Sequence, residues 1–140
     1  MLTLEIFTDG GSRGNPGPSA SAFVVFDHKG EQVHKKSKYL GIGTNNYAEY
    51  YALLMAHRWL QKQPSNPSRV EFFLDSELVV KQLLGQYRIK SKPLASIYHR
   101  VLAIKATLSY PVSYHHVKRD KNKIADRLLN ETLDNYLKKA

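Results

Sequence analysis

The stretch EIFTDGGSRGNPGP, residues 5–18, decides the fold of this chain. Residues 2–7 lead into it and alternate with the period of two that is typical of a β-strand. Four glycines and two prolines then fall within residues 10–18, a density that argues against the interior of a strand or helix. We therefore expect the strand to end at Asp9 and a glycine-rich loop to follow. Asp9 is either a turn-former in a hairpin or a carboxylate at the mouth of a sheet, beside a backbone that a ligand can approach closely.

The remaining pattern predicts one α/β domain over residues 1–140, with a mixed five-stranded sheet and helices on both faces. Alternating or short apolar runs predict strands at 2–9, 20–27, 31–40, 70–74 and 112–117. Apolar residues spaced by three and four predict helices at 46–63, 77–84, 94–108 and 124–138. The order is βββαβααβα. Because a helical crossover returns the chain in the same direction, three antiparallel strands should be followed by two parallel ones.

Composition narrows the function classes. The 140 residues are 42% hydrophobic and 24% charged, as in an ordinary globular protein. There is no cysteine, which excludes a disulfide framework, a thiol nucleophile and a thiolate metal site. No window approaches the ~18 apolar residues that cross a bilayer. The first residues lack the basic and apolar regions of a signal peptide, so we expect a cytoplasmic protein without membrane contact. A net charge of +9 favours a polyanionic partner, of which nucleic acid is the commonest.

Four acidic residues occupy positions that predict a shared site. Asp9 and Asp75 follow two strands that should be parallel neighbours, so both should lie at the carboxyl edge of the sheet, where open α/β sheets bind ligands. Glu49 and Asp126 each lie on the apolar stripe of a predicted helix. A carboxylate on such a stripe is costly unless it is paired. Each of these two, taken alone, is more simply explained by a salt bridge or by the first turn of a helix, where acidic residues are common.

The convergence of all four acids points to a metal site. Four carboxylates at one edge repel one another strongly unless a cation lies between them. Oxygen ligands without Cys or His suit a hard cation, Mg²⁺ or Mn²⁺. Two such ions ~3.5–4 Å apart, bridged by a carboxylate, are the usual apparatus for hydrolysing a phosphodiester. The sequence therefore predicts a metal-dependent site formed by Asp9, Glu49, Asp75 and Asp126.

Four motifs follow one another along nearly the whole chain. They are TDGGSRGNPGP at 8–18, TNNYAEYYAL at 44–53, LDSELVVKQL at 74–83 and ADRLLNETLD at 125–134. In this order and spacing they resemble type 1 ribonuclease H, and four motifs together are far more specific than any one of them. The resemblance implies the ribonuclease H-like fold. It also implies endonucleolytic hydrolysis of the RNA strand of RNA/DNA hybrids, leaving 5′-phosphate and 3′-hydroxyl ends.

The resemblance further implies roles for individual residues. The four acids match the family's metal ligands; Asp9 would bridge two ions, one activating the attacking water and the other stabilising the leaving 3′ oxygen. Glu49 would also lie near the RNA 2′-hydroxyl. The residues that match substrate contacts are Gly10, Gly11, Asn15, Thr44, Asn45 and Asn46. The asparagines would contact the minor groove of the hybrid, Thr44 a DNA phosphate, and the glycine backbone would let the ribose approach. Capping and turn formation are the alternative for the asparagines.

The chain departs from the family pattern in two places. Many members carry a basic helix-and-loop insertion after the helix of the fourth strand, and that region is short here. The loop at 118–123 lacks the histidine that many members have before the last acid, and Arg119 is the candidate to replace it. His115 and His116 lie on the last predicted strand and are more simply structural. The short form resembles the archaeal and some bacterial branches, and we expect slower turnover or stronger dependence on Mn²⁺.

Other functions remain open at this stage. One is a non-catalytic nucleic-acid-binding or interaction domain that retains the fold, although it would not need all four acids. Another is a 3′–5′ exonuclease or a resolvase of the same broad fold. The exonuclease would need a D-x-E pair on the first strand, whereas Asp9 is followed by Gly10 and Gly11. Double-stranded RNA is a second partner to test beside the hybrid, and we expect a monomer.

Overall fold

The computed structural model describes residues 2–139, with side chains for residues 2–138. Within these residues the strands are β1 (Thr3–Ser12), β2 (Gly17–Phe26), β3 (Gln32–Gly43), β4 (Arg69–Leu74) and β5 (Val112–His116). The α-helices are α1 (Asn45–Gln61), α2 (Glu77–Leu83), α3 (Lys92–Thr107) and α4 (Lys123–Lys139), and a 3₁₀ turn, Arg119–Lys121, precedes α4. The predicted order βββαβααβα is confirmed. No helix in the described part is both long and apolar enough to cross a membrane.

The strands form one sheet with the order β3-β2-β1-β4-β5. β1 is antiparallel to β2 and parallel to β4, and β4 is parallel to β5. The predicted mixed sheet, three antiparallel strands followed by two parallel ones, is therefore confirmed. α1 packs on one face, where Ile6 and Leu53 belong to the main core. α4 packs on the other face, where Leu129 lies in a smaller cluster with Ala22.

β1 does not end at Asp9, so that prediction was wrong. The strand continues to Ser12 through Gly10, which pairs with Ser21 of β2. Glycine is present here because of packing and not because of a turn. A Cβ at Gly10 would lie 2.2 Å from the carbonyl carbon of Ala48 in α1, so only glycine lets the helix backbone approach the strand this closely. The loop proper is limited to the residues between β1 and β2.

β3 also runs past its predicted end at residue 40 and continues to Gly43. Gly41 has a φ of +83°, in the left-handed region that favours glycine. The pairing register of β2 and β3 shifts nearby, between Ser19 and Ala20. The glycines that predicted a break therefore mark a bulge, which bends the strand without ending it.

Hydroxyl caps fix where two helices begin, and thereby the position of two acids. The Thr44 hydroxyl accepts a hydrogen bond from the Tyr47 N–H at 3.2 Å and starts α1, five residues before Glu49. The Ser76 hydroxyl caps α2 in the same way, directly after Asp75. Thr44, and not Asn45, is thus the cap of α1.

A buried histidine ties α1 to β5. The Nδ1 of His57 donates to the Leu53 carbonyl at 2.6 Å, which leaves Nε2 to accept from the Tyr114 hydroxyl at 2.7 Å. Burial lowers the pKa of His57 to about 4. The ring is therefore neutral at physiological pH and adds no charge to the core beneath the sheet edge.

We expect Gly10→Ala to destabilise the fold and Gly11→Ala to be tolerated. The methyl group at residue 10 would overlap the backbone of Ala48, and overpacking of this kind lowers the free energy of unfolding by about 1–3 kcal/mol. At residue 11 the nearest atom is Leu129 Cδ2 at 3.5 Å, an ordinary contact. Urea unfolding of both variants measures the difference. Equal free energies of unfolding would contradict the packing argument.

Candidate active site

Four acidic side chains line one cavity of about 370 Å³ at the edge of the sheet. β1 supplies Asp9, α1 supplies Glu49, Asp75 directly follows β4, and α4 supplies Asp126. The structure therefore brings together all four acids that the sequence singled out, from two strands and two helices.

Parallel pairing puts Asp9 and Asp75 at the same edge. The register of β1 and β4 joins Phe7 to Phe73, and each acid lies two residues further along. Asp9 is 5% exposed, and its Oδ1 accepts a hydrogen bond from the Gly10 N–H at 2.9 Å.

Backbone contacts hold Glu49 beside Asp9. The missing side chain of Gly10 leaves room for the α1 backbone at Ala48. From the neighbouring strand, the Ser21 hydroxyl donates to the Ala48 carbonyl at 2.6 Å. Glu49 is the next residue and is 7% exposed. Its carboxylate is thus held against the strand by main-chain atoms on both sides of the contact.

Three of the four acids form a tight trio. One carboxylate oxygen each from Asp9, Glu49 and Asp75 lies within 4.8 Å of the other two. Asp126 lines the same cavity but lies outside this trio. Among the side chains of residues 2–138, none of the ion pairs within 4.0 Å involves these carboxylates, so salt bridges do not account for their burial. The buried Oε2 of Glu49 has no hydrogen-bond partner in that part of the chain.

The cluster holds protons at neutral pH. Burial, followed by the charges of Asp75 and Asp126, raises the pKa of Asp9 from 3.8 to about 8. Burial also raises the pKa of Glu49 well above its usual value, with Asp9 and Asp75 adding to the effect. Carboxylates this close cannot all ionise unless a positive charge compensates them.

The donor set fits a hard divalent cation. Every candidate ligand is a carboxylate oxygen, which Mg²⁺ and Mn²⁺ prefer. The spacing of the trio allows one ion to contact all three residues. The unpaired Oε2 of Glu49 is a buried acceptor that such an ion would satisfy.

Two asparagines that the sequence did not single out support the acids. Asn122 is 1% exposed, and its Nδ2 donates to the Thr8 carbonyl at 2.9 Å and to Asp75 Oδ2 at 3.3 Å. Asn130 donates from Nδ2 to Asp126 Oδ1 at 3.2 Å. The spacing of four between Asn130 and Asp126 was a usable signal on a helix. Asn122 offered none, because it lies between two lysines in a polar loop.

The predicted substrate residues fall in two adjoining places. Gly10, Gly11 and Asn45 line the acid cavity, and Asn15, Thr44 and Asn46 line a neighbouring groove. Asn45 connects the two. Its Oδ1 accepts from the Ser12 N–H at 2.8 Å, and its own N–H donates to Asn15 Oδ1 at 3.1 Å. Asn15 and Asn45 therefore do stabilise the turn, as the alternative interpretation of these residues predicted.

Arg119 lies in the 3₁₀ turn and lines the acid cavity. The two histidines of β5 do not line it. His115 instead stacks on Phe73 with ring centroids 5.2 Å apart, and its Nε2 lies 3.5 Å from a Glu71 carboxylate oxygen. For His115 this agrees with the structural interpretation.

Comparison with known proteins gives consistent matches. A family profile described as "Reverse transcriptase-like" matches residues 7–132. The chain is 37% identical over 134 residues to the bifunctional protein Rv2228c of Mycobacterium tuberculosis; the match covers 95% of this chain but 36% of that protein, so the chain spans about a third of its length. It is 31% identical over 153 residues to a ribonuclease H of Erythrobacter litoralis, with 96% and 98% of the two chains covered. The solved structure of LC11-RNase H1 in complex with an RNA/DNA hybrid matches with a TM-score of 0.91 and 40% identity, over 96% of this chain and 99% of that one.

In metal-free solution, we expect the stability of the protein to fall as the pH rises from about 4 to 8. Asp9 keeps its proton up to about pH 8 in the folded state, whereas it ionises near 3.8 when unfolded. Between these values the folded state binds more protons, so each rise in pH favours unfolding. Asp9→Asn removes this penalty. The variant should be more stable than the wild type at pH 7 by up to about 4 kcal/mol, because pH 7 lies about three units above 3.8 and each unit corresponds to about 1.4 kcal/mol.

Urea unfolding in EDTA at pH 5 and pH 8 measures this effect. Asp120→Asn removes an exposed carboxylate outside the acid cavity and should keep the pH dependence of the wild type. An equal change in the free energy of unfolding between pH 5 and pH 8 for the wild type and Asp9→Asn would contradict the electrostatic account. Added Mg²⁺ or Mn²⁺ should raise the stability of the wild type more than that of Asp9→Asn.

Proposed function

The chain belongs to the type 1 ribonuclease H family, and we propose that it hydrolyses the RNA strand of RNA/DNA hybrids endonucleolytically, leaving 5′-phosphate and 3′-hydroxyl ends. The observation that carries this proposal is the trio of carboxylate oxygens within 4.8 Å in a chain whose net charge is +9. The overall charge attracts a polyanion. The acidic trio repels phosphate, so the sugar–phosphate backbone of a nucleic acid would reach it only together with divalent cations.

Asp9, Glu49, Asp75 and Asp126 are the residues that would hold two ions, Mg²⁺ or Mn²⁺. Asp9 interacts with each of the other three acids, since the charges of Asp75 and Asp126 raise its pKa and it in turn raises that of Glu49, so it would be central to holding the ions. When bound, the ions supply Lewis-acid stabilisation of the phosphoryl oxygens and lower the pKa of the attacking water.

The remaining polar groups orient these acids before substrate arrives. Asn122 holds the Asp75 carboxylate and Asn130 holds that of Asp126. Partners of this kind fix the orientation of ligands and are commonly worth about 10–100-fold in metal affinity or activity. The burial of Glu49 keeps its carboxylate away from competing water, beside the position proposed for the RNA 2′-hydroxyl.

The hybrid would lie across the acid cavity and the neighbouring groove. The amides of Asn15, Asn45 and Asn46 both donate and accept, as contact with base edges and 2′-hydroxyls in a minor groove requires. Thr44 is assigned to a DNA phosphate. The backbone of Gly10 and Gly11 would face the ribose, although the side-chain position of Gly10 is already filled by α1. Cleavage of double-stranded RNA, a monomeric state and a cytoplasmic location stay predictions.

We expect the purified chain to cut only the RNA strand of an end-labelled RNA/DNA hybrid in Mg²⁺ or Mn²⁺, and to lose this activity in EDTA. Asp9→Asn, Glu49→Gln and Asp75→Asn should each lower kcat by roughly 1,000-fold or more, because several kcal/mol of transition-state stabilisation are lost. Glu31→Gln removes an exposed carboxylate outside the cavity and serves as the control.

Each outcome of this assay has a distinct meaning. Cleavage near the wild-type level by Asp9→Asn would refute the proposed site. Hybrid binding without cleavage in either metal would move the protein to the non-catalytic class. Parallel reactions with double-stranded RNA, single-stranded RNA and double-stranded DNA define the substrate class.

Arg119 is proposed to act in place of the missing loop histidine. A guanidinium at the rim of the acid cavity would attract the phosphate of substrate or product, so Arg119→Ala should lower kcat about 10-fold or more. Lys121→Ala removes the same charge from the same 3₁₀ turn, but Lys121 does not line the acid cavity and its loss should change kcat little. Equal kcat values for the two variants would remove Arg119 from the mechanism. Arg119→His tests whether histidine restores or exceeds the wild-type rate.

A further inference from the structure

A second groove, away from the acids, carries concentrated positive charge. It lies between β3 and α1, has a volume of about 280 Å³, and is lined by Lys36, Lys38, Arg58 and Lys62. We call it the β3–α1 groove. No aspartate or glutamate lines it. Lys36 and Lys38 alternate on β3 and so share a face of the sheet, while Arg58 lies in the last turn of α1 and Lys62 is the C-cap residue that follows it.

These four cations are not balanced by carboxylates. Among the ion pairs within 4.0 Å in the described residues, none includes any of the four. Arg58 and Lys62 lie at the C-terminal end of α1, where cations complement the helix dipole. Lysines on an edge strand such as β3 are explained by protection against edge-to-edge pairing. Neither effect explains why cations from the strand and from the helix end line the same groove.

Aromatic rings lie between the cations. Tyr51 and Trp59 line the groove and are half-buried. Lys38 Nζ donates to the Tyr51 hydroxyl at 3.1 Å and lies 5.3 Å from the centre of its ring. His34 stacks on Trp59 with centroids 5.0 Å apart. A basic groove with interleaved aromatic side chains is the general arrangement of sites that bind single-stranded nucleic acid.

Tyr47 lines the groove of the proposed substrate residues and contacts Tyr51, the first α1 residue that lines the β3–α1 groove. Tyr47 follows Asn46, and its ring centroid lies 6.3 Å from that of Tyr51. The β3–α1 groove itself follows α1 from Tyr51 to Lys62, and the axial rise from Asn46 to Lys62 is about 24 Å at 1.5 Å per residue. A strand leaving the proposed hybrid site would therefore meet these rings and cations in sequence.

We propose that the β3–α1 groove binds the sugar–phosphate backbone of a single-stranded segment that continues from the RNA/DNA hybrid. A single strand is favoured over a duplex because its bases are free to stack on Tyr51 and Trp59. The inference rests on the proposed function for the position of the hybrid, but the binding itself does not require cleavage.

The test compares hybrids with and without a single-stranded extension. Fluorescence anisotropy in Ca²⁺, a divalent ion that oxygen ligands also hold, gives the Kd of a blunt hybrid and of four extended hybrids. Each of the four carries an oligothymidine extension, long enough to cover about 24 Å, at a different one of the four strand ends. The variant is Lys36→Gln/Arg58→Gln/Lys62→Gln; Lys38 is kept because it holds Tyr51. The control is Lys29→Gln/Arg100→Gln/Lys138→Gln, which removes the same charge from exposed positions outside both grooves.

The wild type and the control should bind at least one extended hybrid about 10-fold more tightly than the blunt one, and the groove variant should lose this gain. The slope of log K against log salt for that extended hybrid should become shallower by about 2, since three phosphate contacts contribute about 0.7 each on a single strand. Cleavage of the blunt hybrid in Mg²⁺ should be unchanged in the groove variant.

Three results would overturn the proposal. The first is that the wild type binds every extended hybrid no more tightly than the blunt one. The second is that the groove variant keeps the higher affinity for the extended hybrid. The third is equal weakening of blunt and extended hybrids, which would assign the groove to the duplex. Failure of the proposed function is seen separately, as absence of cleavage of the blunt hybrid by the wild type.

Discussion

The close approach of three carboxylates, two of them buried and the third half-buried, is the constraint on which the rest of the structure depends. Groups of like charge repel one another strongly in a poorly solvated site, and the surrounding fold must supply the free energy that keeps them together. Two separate apolar clusters do this. The main core lies between α1 and the sheet, with a neutral His57 inside it, and a smaller cluster under α4 holds the opposite face. The acids therefore lie where elements from both faces of the sheet converge.

Charge is distributed unevenly over this basic chain. Four of its acids line one cavity, while a set of cations without carboxylate partners lies along β3 and the C-terminal end of α1. At long range only the summed charge of the protein acts, and a net charge of +9 attracts a polyanion. Close to the surface, the acid cavity and the basic groove impose opposite demands on a phosphate. A sugar–phosphate backbone can lie directly on the basic groove, but it can enter the acid cavity only together with divalent ions.

The sequence was sufficient to predict the order of the elements, the mixed sheet and the convergence of the acids, because each depends on local periodicity or on chain direction. It was insufficient where a residue serves a distant contact. Gly10 was interpreted as the start of a loop, since nothing local reveals that Ala48 packs against it. Asn122 was overlooked for the same reason, because its partners Thr8 and Asp75 lie on other elements. Sequence spacing also could not reveal that Asp126 lies outside the tight trio.

The contact between Gly10 and the Ala48 backbone, with the Ser21 hydroxyl on the Ala48 carbonyl, has a consequence for mutational drift. Provided that Gly10 and Ser21 are kept, this contact is made by main-chain atoms, which do not change with sequence, whereas core side chains vary in size and shape. The separation of Asp9 and Glu49 is set by the former. Substitutions that repack the core beneath α1 therefore change how tightly the domain holds together, while the dimensions of the acid cavity are inherited unchanged.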